Sequence, residues 1–354
     1  MRKYWYRRIL IMLVVFAAFV GGSYCLIDSR AEHMRQEVNA DMAEKTMVIP
    51  GGMPVGIYLE TDGVMVLGTE GITGADGMKH NPAAHLVKSG DYIAGINGQE
   101  ITSKAELVEA VAALQDTEVI LEIKRDEENR EIKFQAVDCG KGEYKLGIWV
   151  RDNAQGLGTV TYLSADSSFG ALGHGIHDVD TNELLDISSG TLYITSIKDI
   201  QKGENGIPGG MEGIIVYNNY NVLGTIEKNT DAGIFGKIER IDALFSEQEP
   251  METAAKEEVQ EGPATIRCAV EGEVKEYDIQ ITGVDTSPRE INKALTLEVT
   301  DEELLKTAGG IVQGMSGSPI IQNGKLVGAV THVFVNNPTK GYGIFVETML
   351  NSSK

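Results

Sequence analysis

The sequence predicts a mainly β fold, and three observations carry that reading. Glycine is abundant, with 41 glycines and 9 prolines in 354 residues, which suits a chain of many tight turns. Apolar and polar residues alternate in short runs such as Val119–Lys124 and Glu131–Val137, the period of a half-buried strand. The dipeptide Asn323-Gly324 sits between apolar runs and is a strong signal for a two-residue hairpin. The length leaves room for two or three domains. A net charge of −21, from 31 basic and 52 acidic residues, excludes a nucleic-acid surface, because displacing phosphate counterions takes a basic stripe.

The first element is apolar. Arg2, Lys3, Arg7 and Arg8 precede an uncharged stretch from Ile9 to Ile27 that is long enough to span a bilayer. The basic flank keeps its own end in the cytoplasm, so the chain from Asp28 onward is expected outside. A cleaved signal peptide shares the basic flank and apolar core. The bulky run Tyr24-Cys25-Leu26-Ile27 offers no small-x-small cleavage pair before Asp28, and Cys25 lacks the small neighbour that lipid attachment requires. Residues 1–27 are therefore read as a cytoplasmic flank and transmembrane signal anchor, and the polar, helix-prone residues 28–47 as a tether that leads into the turn around Pro50-Gly51-Gly52. Cys139 and Cys268 make no disulfide framework, and neither lies in a glycine-rich turn suited to a nucleophile.

Residues 48–137 form the next unit. Apolar runs at Val55–Leu59 and Gly63–Leu67 precede Pro82-Ala83 and Gly90-Asp91-Tyr92-Ile93-Ala94-Gly95-Ile96-Asn97-Gly98. Ser103 and Glu106 make a capping box, and Leu107, Val108, Val111 and Leu114 then fall on one helical face. A hairpin is expected around Asp126-Glu127-Glu128-Asn129. On the P-A-x-x-x-x-x-G-D-x-I-x-x-I-N-G pattern and the helix after it, this segment resembles a PDZ domain of the bacterial protease-associated type. The resemblance implies an extended peptide added to a sheet edge beside the helix, with Gly56, Ile57 and Tyr58 on that edge. A PDZ fold used only as a spacer or gate is the competing reading.

From Gly140 the strands are short and closely spaced. Gly156–Leu163, the turn at 165–168 and Phe169–His174 make a hairpin that ends on a histidine, and Thr191–Ile197, Gly213–Tyr217 and Val222–Glu227 continue the pattern. A glutamate-rich connection, 247–261, leads to a second set: Ala264–Val270, Glu276–Thr282, Leu295–Val299 and the hairpin from Pro319 to Phe334. Two six-strand-like halves, one bearing a histidine and the other a serine, suggest a double β-barrel over 138–354 with its cleft at the junction.

The chemistry centres on Gly314-Met315-Ser316-Gly317-Ser318-Pro319. A serine hydroxyl is a poor nucleophile unless an imidazole takes its proton, and His174 in Gly173-His174-Gly175 is the candidate base. The N–H groups of Gly314 and Ser316 are candidate donors to a developing oxyanion. Ser318 stands where an α/β-hydrolase elbow needs glycine, and Pro319 leads into a hairpin instead of a helix, which disfavours that class. G-x-S-G-x-P before a hairpin instead resembles chymotrypsin-like serine peptidases, with the histidine in the first barrel and the serine in the second. Met315 departs from the aspartate that many secreted members use to capture a freed N-terminus. An acid must fix the histidine tautomer, and spacing alone leaves Asp178, Asp180, Asp186, Asp199, Asp242, Asp285 and Asp301 open. His174 and His177 lack the spacing of a helical zinc motif, so neither a metal nor a cofactor is expected. His332, on the strand after the serine hairpin, is read either as lining the substrate or as packing, and Gly341-Tyr342-Gly343 as a candidate wall of the primary pocket.

Three longer motifs narrow this further: Phe169-Gly-Ala-Leu-Gly-His174, Thr300-Asp301-Glu-Glu-Leu-Leu305, and Gly309-Gly-Ile-Val-Gln-Gly-Met-Ser-Gly-Ser-Pro-Ile320. On these the chain resembles the stage IV sporulation protein B family of serine peptidases over nearly all of residues 1–350. The resemblance implies a triad of His174, Asp301 and Ser316. It also implies export into the space between the two spore membranes, self-cleavage near the N-terminal region, and cutting of a membrane-bound inhibitor of an intramembrane metalloprotease that processes a late sigma factor. The alternative from a different class is a catalytically inactive PDZ scaffold that binds a membrane partner.

Overall fold

The computed structural model describes residues 46–115, 117–126, 128–245 and 249–354. The anchor read at 1–27 and residues 28–45 of the tether read at 28–47 lie outside the described residues, among which no helix is long and apolar enough to cross a membrane.

The described chain is mainly β, and its centre is a pair of antiparallel barrels. In the first, the strands Pro54–Thr69, Ile148–Ser164, Ser168–Ala171, Gly233–Ile238, Val222–Thr230 and Ile187–Gln201 pair in that order, and the last returns to pair with the first. The ring closes around Val55, Ile57, Leu59, Val160, Phe169, Leu192, Leu223 and Ile234, all buried. Every second residue of Pro54–Leu59 contributes to this interior, which is the strand period read in the sequence. The second barrel is closed by Gly262–Cys268, Lys275–Val284, Leu295–Val299, Asn337–Phe345, Lys325–Phe334 and Pro319–Gln322. Its core holds Ile266, Tyr277, Ile281, Leu297, Ile320 and Phe345. The Asn323-Gly324 hairpin forms as expected, both residues taking positive φ, 53° and 74°.

The double barrel differs from the expected one in two strands of its first ring. Gly210–Ile215, expected within it at Gly213–Tyr217, pairs with Ile187–Gln201 and stands outside the ring. In turn the ring includes Pro54–Thr69, a strand that lies within the 48–137 segment expected to form the PDZ-like unit. Val55, Ile57 and Leu59 pack into the barrel, whereas Val64 and Val66 on the same strand pack into a separate core with Val87, Ile93, Ile96, Leu107, Leu121, Ile123 and Leu146. The change of neighbour coincides with a register shift near Gly63. The smaller lobe is thus carried on two long strands, Pro54–Thr69 and Ile148–Ser164, whose other ends build the barrel. Its helix, Lys104–Ala112, has the predicted capping box: the Ser103 hydroxyl accepts the Glu106 N–H, and the Glu106 carboxylate accepts the Ser103 N–H. Of its expected apolar face Leu107 is buried, while Val108 is 57% exposed and faces a groove. The hairpin Glu118–Arg125 and Glu128–Gln135 is in place.

Candidate active site

The serine turn belongs to the second barrel but is clamped by the first. The Thr159 N–H donates to the Ser316 carbonyl at 2.9 Å, and the Thr159 hydroxyl donates to the Gly314 carbonyl at 2.8 Å. Two residues along the same strand face, the Thr161 hydroxyl donates to the Gly317 carbonyl at 2.8 Å. Gly317 holds φ +95°, and a Cβ there would lie 2.0 Å from the Thr159 carbonyl oxygen, so this position admits no side chain. Met315 is fully buried, and its sulfur receives the Val312 N–H at 3.4 Å. The apolar methionine therefore pins the turn from inside, where an aspartate would need a cation. With these carbonyls engaged, the N–H groups of Gly314 and Ser316 donate to no acceptor among the described residues.

His174 follows the short strand Ser168–Ala171 and lines the same cleft as Ser316, a cavity of about 440 Å³ walled by Leu157, Ile311, Val312 and Val333. Its Nδ1 lies 2.9 Å from the Gly175 carbonyl oxygen. A carbonyl only accepts, so Nδ1 carries the proton and Nε2 keeps the lone pair that a base needs. Burial holds His174 below its ordinary value of 6.5, which keeps the ring neutral near pH 7. Ser316 Oγ donates to the Thr331 carbonyl at 2.8 Å, so at rest its proton points at the backbone. Burial drives the Cys268 thiol up to about 12, and both Cys139 and Cys268 are free thiols.

The structure brings His174, Ser316 and Gly314 together and does not bring Asp301 to them. Asp301 is the N-cap of the helix Glu302–Thr307: its Oδ1 accepts the Leu304 N–H at 2.9 Å and its Oδ2 the Asp278 N–H at 3.3 Å. Both carboxylate oxygens are thus occupied by backbone, and the orienting bond to His174 Nδ1 comes from Gly175 instead. The cap was legible, since aspartate before Glu-Glu-Leu-Leu is a helix-start signal. Asp301→Ala is expected to cost about 1 kcal/mol of stability, whereas Asp301→Asn, which caps as well, should leave melting temperature and serine labelling near wild type. A loss of labelling by orders of magnitude in the asparagine variant would restore Asp301 as the orienter.

The other acids have local duties. The side chain of Asp178 is fully buried; burial pushes its carboxyl up, but the Thr181 and Asp180 N–H groups and the Arg151 guanidinium outweigh that and hold it below the usual range. This pair ties the loop after His174 to the strand Ile148–Ser164. Asn229 adds three bonds to the same loop, accepting the Ile176 N–H and donating to the Ile176 and Leu185 carbonyls, each at 2.9 Å. Neither Asn229 nor the Thr159/Thr161 pair was singled out from sequence. Gly341-Tyr342-Gly343 do not line the cleft; Tyr342 packs on Phe334 with ring centroids 4.6 Å apart.

Gly56, Ile57 and Tyr58 require a correction. They pair on one side with Gln155–Leu157 and on the other with Thr191–Tyr193, so no sheet edge is open there. The open side belongs to Ile148–Arg151, which among the described residues pairs only with the strand Pro54–Thr69. Between it and the helix residues Leu107, Val108 and Val111 lies a groove of about 560 Å³, closed at one end by the loop 141–147. The error follows from the shared strand: residues that look like a lobe edge are consumed by the barrel.

A serine turn and a neutral histidine in the seam between two barrels, with two spare N–H donors at the serine, are the equipment of a serine peptidase. The family comparison agrees: the description SpoIVB peptidase S55 matches residues 142–350, more than half of the chain. The protein belongs to the SpoIVB peptidase S55 family. Among solved structures, the inactive form of the Rv3671c protease is 12% identical over 56% of this chain and 83% of that one, with a TM-score of 0.31. The active form of the same protease, from M. tuberculosis, is 12% identical over 57% and 74%, with a TM-score of 0.30. The PDZ domain of an SdrC-like protein from Listeria monocytogenes is 24% identical over 25% of this chain and 87% of its own, with a TM-score of 0.20. None of the curated proteins matches the chain.

Proposed function

We propose that the protein is a membrane-anchored endopeptidase of the chymotrypsin-like type acting outside the cytoplasm, with Ser316 as nucleophile and His174 as base. The observation that carries this is the pair of unengaged N–H groups of Gly314 and Ser316 in the cleft that His174 also lines. In the first step the Ser316 hydroxyl turns from the Thr331 carbonyl to His174 Nε2. The proton passes to Nε2 as Oγ bonds to the substrate carbonyl carbon, and the carbonyl oxygen takes the electron pair and is held by the two N–H groups. Collapse breaks the C–N bond, the imidazolium gives its proton to the leaving amine, and water repeats the sequence on the acyl-enzyme. The apolar walls Leu157, Ile311, Val312 and Val333 favour an apolar side chain beside the scissile bond.

In the same reading the groove between Ile148–Val150 and the helix Lys104–Ala112 is the peptide site of the PDZ-like lobe. Residues 1–27 anchor the chain and residues 28–53 contain the zone of self-cleavage. Family resemblance supports the biological setting: the space between forespore and mother-cell membranes, and a membrane-bound inhibitor of an intramembrane metalloprotease as substrate.

The test treats the full-length chain in detergent with a fluorophosphonate and maps the adduct by mass spectrometry, reading the N-terminus of the same sample. The expected result is one adduct, on Ser316, together with an N-terminus starting within the tether. No adduct, with or without added peptides bearing free carboxyl ends, would leave the chain a peptide-binding scaffold.

A further inference from the structure

We propose that His332 is a positioning residue of the active site, a neutral imidazole that takes the place of the missing carboxylate beside His174; this rests on the reading of His174 and Ser316 as base and nucleophile. The rings of His174 and His332 pack with centroids 4.9 Å apart and planes tilted by 36°. His332 follows Thr331, whose carbonyl receives the Ser316 hydroxyl and whose own hydroxyl donates to the Asn292 carbonyl at 2.6 Å, so the strand that holds the serine proton also holds this ring. Both histidines line the substrate cleft on one side and a polar hollow on the other.

A packing role alone does not account for the choice of residue. His332 Nδ1 is buried and has no hydrogen-bond partner among the described residues, and the same is true of Asn292 Oδ1 on the wall of the same hollow. Burying an unpaired polar atom costs free energy that a phenylalanine of similar shape would not incur. The cost is understandable if the ring is used when charge develops next to it. Proton transfer from Ser316 makes His174 a cation, and the nitrogen lone pair of the neutral imidazole packed against it attracts that charge, more strongly where water is excluded. Among the described residues no carboxylate bonds to His174. The charged and titratable groups that share the hollow with the two rings are His177, Asp231, Arg289 and Glu290, with Lys293 close by. Burial, with the neighbouring His174 and Lys293, pushes His332 down to about 4, so it is neutral near pH 7.

The imidazole nitrogens, not the ring volume, are what matter in this role, and that separates it from packing. In the full-length chain, His332→Phe is expected to fold with a melting temperature near wild type yet to lower the limiting rate of fluorophosphonate labelling about 100-fold, with little change in the half-saturating probe concentration. Loss of the polar partner disfavours the His174 cation, so the acid limb of the rate profile should move to lower pH. His332→Gln, which keeps a polar acceptor, should recover part of the rate and of the limb. If His332→Phe does not fold, His332→Leu makes the same comparison with less volume. A phenylalanine or leucine variant that labels at the wild-type rate, or whose acid limb stays in place, overturns the proposal. His174→Ala separates the two levels: if it still labels at the wild-type rate the base assignment itself is wrong, and if it is inert while His332→Phe is normal only the role of His332 falls.

Discussion

His174→Ala is expected to slow phosphonylation of Ser316 by on the order of 10³-fold at pH 7.5, because the serine proton then has no acceptor but solvent. The wild-type pH profile carries the same information with the opposite control. His174 must be neutral to act, and burial lowers its pKa from 6.5. Above 6.5 the ring is already deprotonated, so the rate should sit on a plateau through neutrality. It should fall only as the pH drops through the lowered His174 value, which places the acid limb below 6.5. Stopped labelling from pH 4 to 9 measures this. A limb centred above 7 would mean that an anion, not a carbonyl, orients His174.

The second large effect is mechanical. Gly317→Ala places a methyl group 2.0 Å from the Thr159 carbonyl oxygen and 2.5 Å from the Leu172 nitrogen, both backbone atoms of the other barrel. Neither can give way without parting the seam that Thr159 and Thr161 hold closed. We expect a loss of about 3 kcal/mol or more and no serine labelling even below the new melting temperature. Gly324→Ala is the matched control. It has a similar positive φ, +74°, but no atom within 4 Å, so it should cost only the left-handed backbone term of about 1 kcal/mol and leave labelling intact. Equal melting temperatures for the two variants would show that the seam yields.

These expectations divide along the same line as the sequence reading. Local chemistry was visible in the chain. Ser103 and Glu106 cap their helix because four consecutive residues suffice to make that pattern, and Asn323-Gly324 turns because its dihedrals are set within the dipeptide. Ser316 between glycines and His174 at a hairpin end belong to this class. The Asp301 signal is equally local but serves two ends: an N-cap and a catalytic acid use the same carboxylate, and in this structure the helix Glu302–Thr307 engages it.

What the sequence by itself determined is the β character of the chain, its two barrels, and the serine and histidine that face one cleft, because period, turn chemistry and motif are properties of neighbouring residues. Only the tertiary structure decided which strand closes the first barrel, and hence that Gly56–Tyr58 has no open edge and Ile148–Arg151 does. Only it brought His332 against His174 and put the Gly175 carbonyl where an acid was expected. Strand alternation tells which face is buried but not which distant strand lies beside it. That choice is made by the packing of whole sheets, in which Val55 and Val64 on one continuous strand end in different cores.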